Sequence, residues 1–121
     1  MLDINNILMY FGQLSGCREE DMGEVTALVM SAARNIEAQL DADRVTEDDI
    51  PACEYAAACS ALYDYVCREA CRDSIVVTAG GNADTNADLS HRVKCAARLR
   101  EQALGRIAGL TACGGFVFGT M

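Results

Sequence analysis

Between Cys53 and Cys67 the chain is apolar on almost every side, interrupted by Glu54, Ser60 and Asp64 alone. An amphipathic surface helix leaves one face to water, whereas a helix apolar all round has to be enclosed by other elements. This segment therefore predicts the central member of a helical bundle. Its small residues, Ala56, Ala57, Ala58, Ser60 and Ala61, let neighbouring helices approach closely.

The flanking segments supply the enclosing helices. Residues 2–14 place Leu2, Ile4, Ile7, Leu8, Phe11 and Leu14 at steps of about three and four, the helical period. Gly16 breaks that run, and Glu19, Glu20 and Asp21 then precede the cleanest stripe in the sequence. It comprises Val25, Leu28, Val29, Ala32, Ala33, Ile36 and Leu40, with Glu24, Ser31, Arg34, Asn35 and Glu37 left mostly for the wet side. A polar connector, residues 41–45, leads to Thr46 and Asp49, spaced as a capping box with Asp49 in the place usually held by Glu or Gln. Pro51 suits the first turn that follows.

Beyond the central segment, Ile75, Val76 and Val77 form a β-branched run that Ala79, Gly80 and Gly81 end with turn residues; it reads as a short extended stretch over about 74–79. Residues 82–88 read as a polar loop. A last helix is expected over about 88–110, with Leu89, Val93, Ala96, Ala97, Leu104 and Ile107 on its buried face. Gly114 and Gly115 release a tail in which Phe116 and Phe118 would share one side of a strand over about 115–119. The fold class is thus all-α: a small four-helix bundle-like domain, helices about 2–15, 21–41, 49–73 and 88–110, with a short extended segment and a C-terminal tail.

With 121 residues and 13.0 kDa the chain is one domain, residues 1–121. At that size about two-thirds of the unfolded surface can be buried without a metal or disulfide staple. Ten Lys and Arg against eighteen Asp and Glu give a net charge of −8. That is the wrong sign for counterion release from phosphates, so no direct nucleic-acid binding is expected. The N-terminal residues carry no basic stretch ahead of an apolar one, and no apolar run approaches a membrane span; the chain is expected to stay, without a membrane, in the compartment where it is made. The seven cysteines, Cys17, Cys53, Cys59, Cys67, Cys71, Cys95 and Cys113, are an odd set, expected to be reduced rather than to form a disulfide framework.

Chemistry has few residues to draw on. His91, the single histidine, reads as a solvated helix residue beside Ser90 and Arg92. No nucleophile elbow, phosphate loop or dinucleotide fingerprint occurs, and Ala79, Gly80 and Gly81 read as a turn. Cys67 and Cys71, four apart, share a helix face, but a second pair at zinc-site spacing is missing, so the cysteines read as small packing hydrophobes. The acidic groups Glu19, Glu20, Asp21 and Glu47, Asp48, Asp49 sit where helices begin, complementing the helix dipole. No catalytic residue, cofactor or metal ligand is assigned, and no enzymatic activity is expected.

The order of segments has a likeness. A helix carrying Ala27, Leu28, Val29, Met30, Ser31, Ala32, Ala33, Arg34, Asn35, Ile36 and Glu37 leads through a polar loop to the alanine-rich helix with Leu62 and Tyr63. Then come Val77, Thr78, Ala79 and Gly80, the helix around Ala96 to Leu104, and the terminal Gly115, Phe116, Val117 and Phe118. Over roughly residues 20–119 this resembles the small head-tail connector (head completion or adaptor) proteins of tailed bacteriophages and prophages. The resemblance implies a helical bundle that forms a homo-oligomeric ring between portal and tail, found in the virion and, during assembly, in the host cytoplasm. It implies that loops and termini join neighbouring subunits and the tail.

Under that reading the candidate assembly interface is Ile75, Val76 and Val77 together with Phe116, Val117 and Phe118. Both segments are too small for a sheet within one subunit, and strand addition to a neighbour would supply their backbone hydrogen bonds. Two other readings stand beside it: a small bacterial helical adaptor unrelated to phage, and a thiol-dependent metal-binding or redox protein using Cys67 and Cys71.

Overall fold

The computed structural model of the chain describes the backbone of residues 2–15, 22–80 and 83–111, and side chains within 2–15, 23–71 and 90–111. Four α-helices account for most of it: α1 (Ile4–Ser15), α2 (Met22–Gln39), α3 (Ile50–Gly80) and α4 (Ala83–Ile107). Single 3-10 turns, Glu47–Asp49 and Ala108–Leu110, lead into α3 and out of α4. The fold is an all-α bundle.

The alanine-rich helix is its centre, since α3 packs against α1, α2 and α4. Cys53, Ala56, Ala57, Ala58, Cys59, Ala61, Leu62 and Val66 are all buried, while Asp64, Arg68 and Cys71 reach the surface. The stripe on α2 is buried as its spacing predicts, from Val25 through Leu28, Val29, Ala32 and Ala33 to Ile36. On α1, Ile7 and Phe11 are fully enclosed and Ile4, Leu8 and Leu14 pack at the margin.

Pairings fix how the helices run. Arg100 of α4 lies over the Tyr63 ring at 4.3 Å, and Arg92 meets Glu69 at 2.8 Å, so numbers fall along α4 as they rise along α3: the two form an antiparallel hairpin. Arg68 reaches Glu24 at 3.8 Å, which sets the start of α2 beside the middle of α3 and makes this pair antiparallel too. α1 lies across α3. Its adjacent Tyr10 and Phe11 make edge-on ring contacts at 5.7 and 5.6 Å with Tyr55 and Tyr65, which are about 15 Å apart along a helix axis.

The Thr46 and Asp49 pairing takes the expected form: the Asp49 carboxylate accepts the Thr46 N–H at 3.0 Å and its hydroxyl at 2.9 Å. It closes the turn that starts α3.

Two boundaries differ from the sequence reading. Residues 74–79, expected to be extended, are helical and belong to α3, which ends at Gly80 instead of near 73. β-branched residues lower helix propensity by only a few tenths of a kcal/mol each, too little to stop a helix already nucleated; the effective stop is the glycine. Likewise residues 83–87, read as loop, are the first turns of α4. Asp84 there is a residue type that suits the positive end of the helix dipole. Leu89 lies outside the described side chains, while Ala103, which the stripe on α4 omitted, is buried. The tail expected over 115–119 lies outside the described residues.

Candidate assembly site

The candidate site has two parts, of which the structure describes the backbone of the first, Ile75 to Val77, and the chain leading to the second as far as Thr111. Ile75, Val76 and Val77 sit on the last turns of α3, eleven residues of helix beyond Glu69 at most, an arm of about 16 Å. Consecutive helical residues are turned about 100° from one another, so these three do not share one face and offer no strand edge. The extended conformation expected for them is corrected to helix.

At the other end, the chain leaving α4 is pinned. Thr111 is fully buried, its hydroxyl donates to the Ala108 carbonyl at 2.9 Å, and its backbone forms an antiparallel bridge with Leu40. Beside it the Asp41 N–H donates to the Leu110 carbonyl at 2.8 Å. Arg44 donates to the carbonyls of Thr111 at 3.2 Å and Gly109 at 3.5 Å while its guanidinium pairs with Asp41 at 3.4 Å. The connector between α2 and α3 thus holds the point from which residues 112–121 depart. Sequence reading took the connector for a plain polar link; its partners lie 65 and 67 positions away, beyond the reach of local pattern.

The bridge between Thr111 and Leu40, and the short connector from Leu40 to Ile50, set the end of the described chain beside the start of α3. From Tyr55 to Ile75 α3 rises about 30 Å. From Thr111 to Phe118 the chain spans at most about 25 Å even fully extended. Phe116, Val117 and Phe118 themselves lie outside the described residues.

A clamp missed by the sequence reading holds the N-terminal end. Glu54, buried inside the bundle, accepts the Asp3 N–H at 2.7 Å and the Asn6 side-chain amide at 3.4 Å. Glu37 of α2 accepts the Leu2 N–H at 2.9 Å. These carboxylates satisfy the unpaired donors that precede α1. A lone acid in an apolar helix was the signal; its partners were not legible.

Five described cysteines are free thiols: Cys53 and Cys59 buried, Cys67 half-buried, Cys71 and Cys95 exposed. Burial, with the charges of Asp49 and Glu54 adding to it, pushes the Cys53 thiol up to about 11. Burial raises Cys59 as well, opposed by Tyr55 and Arg106. Cys67 contacts Tyr63 one turn earlier. Among the described residues no three His, Cys, Asp or Glu side chains gather where they could hold a metal ion, and no helix is long and apolar enough to cross a membrane.

No protein-family model, curated protein or solved structure matches the chain. The functional reading rests on the residues and their placement.

Proposed function

We propose that the chain is a structural subunit of a tailed-phage or prophage particle, a head-tail connector that assembles as a ring between portal and tail. The observation that carries this reading is the placement of the helical end of α3 and of the held chain exit at Thr111 at opposite ends of the bundle. That arrangement suits contacts with other copies and with the particles above and below.

The order of helices supports the reading through the resemblance described above. The central α3, buried over most of Cys53 to Val66, supports it in a second way, because it gives a packed body to which such contacts can be attached. In the ring, the α3–α4 arm carrying Ile75, Val76 and Val77 lies against a neighbour as a helix, and the tail places Phe116 and Phe118 in apolar pockets of another subunit or of the portal.

Deleting residues 115–121 tests the tail. The truncated chain is expected to keep its helical circular dichroism, since the pin at Thr111 remains, and to lose oligomers and portal binding. Unchanged oligomers and unchanged portal binding would overturn the assembly role of the tail.

A further inference from the structure

On α4, one helical turn apart, His91 and Cys95 are both exposed, and the Cys95 Sγ lies 3.6 Å from the His91 Nε2. Residues four apart on a helix stand one above the other, so the backbone holds an imidazole and a thiol side by side. A tetrahedral zinc, with Zn–S about 2.3 Å and Zn–N about 2.0–2.1 Å, sets a sulfur and a nitrogen ligand about 3.5 Å apart. The spacing already present is the bite of that ion.

We propose that His91 and Cys95 form a two-ligand site for a thiophilic divalent cation of the zinc class. Thiolate with imidazole is a donor set that such ions prefer to the carboxylate and carbonyl oxygens taken by calcium or magnesium. The imidazole binds through the Nε2 lone pair. The thiol binds as thiolate, its proton passing to solvent, so that one Zn–N and one Zn–S bond form and one proton is released per ion. Water fills the two remaining positions. Lys94 and Arg98, near in sequence, are cationic, and the negative charge of a bound thiolate offsets part of the incoming dication's charge beside them. The site differs from the Cys67 and Cys71 pair, which is on α3 and contains no histidine.

Both ligands are on the surface, so replacing them leaves the bundle intact, which helical circular dichroism checks. Full-length reduced protein is titrated with zinc against a chromophoric chelator, and with cobalt to read the thiolate-to-metal absorption. The expected result is one ion per chain with proton release, weakened roughly 10-fold or more by either His91→Ala or Cys95→Ser. The cobalt thiolate band disappears in Cys95→Ser and persists when Cys17, Cys67, Cys71 and Cys113 are all changed to serine. Affinity unchanged by His91→Ala, affinity lost in the four-serine variant, or no binding by the wild-type chain would each overturn the site.

Discussion

Glu54 shows how a single side chain ties the bundle together. It is 3% exposed, and a carboxylate so far from water is tolerated because it accepts the Asp3 N–H and the Asn6 amide. Glu54→Ala removes the acceptor and leaves a buried donor unsatisfied, which costs roughly 1–3 kcal/mol. Urea unfolding of the variant measures it, and a change below about 0.5 kcal/mol, the surface range, would contradict the clamp. Cys53 makes a second prediction. Its folded thiol titrates near 11 against an ordinary 9.0, so the native state holds that proton more tightly than the unfolded chain does. The contribution to stability is complete below pH 9 and is lost as pH rises from 9 towards 11. A Cys53→Ala variant should therefore lose less stability over that window than the wild type; identical alkaline slopes would contradict the assignment. Alkylation at neutral pH should modify Cys71 and Cys95 well before Cys53.

At the scale of elements, the decisive one is the far end of α3. Helical backbone through Ser74, Ile75, Val76, Val77, Thr78 and Ala79 predicts helical carbon chemical shifts at every one of those positions by NMR. Extended shifts there would restore the strand and contradict the arm. The sequence reading placed α2 and the packed part of α3 correctly because their signals are local: a stripe at steps of three and four, and an apolar run with nowhere wet to face. It misplaced the end of α3 because it weighed β-branched propensity, a weak prior, above Gly80, a strong stop. The loop expected before residue 88 failed similarly, because short polar residues are as compatible with a first helical turn as with a loop. The clamp at Glu54 and the pin at Thr111 were illegible for another reason. Each joins groups some 50 to 67 positions apart, and no periodicity encodes such a pairing. The His91 and Cys95 contact was legible in principle, since its i,i+4 spacing is local.

For the whole molecule, the central claim is that function lies in assembly geometry. In the proposed reading the α3–α4 hairpin carries one candidate contact segment near its tip, and the connector between α2 and α3 holds Thr111, from which the chain leads to the other. A net charge of −8 makes copies repel at low ionic strength, a repulsion screened beyond about 8 Å at physiological salt, so assembly belongs to the salted condition. The measurement that bears on this most directly is electron microscopy of the purified full-length chain, concentrated at about 0.15 M salt. Closed rings of uniform diameter are predicted. A field of separate 13.0 kDa chains, without rings at any concentration, would contradict it.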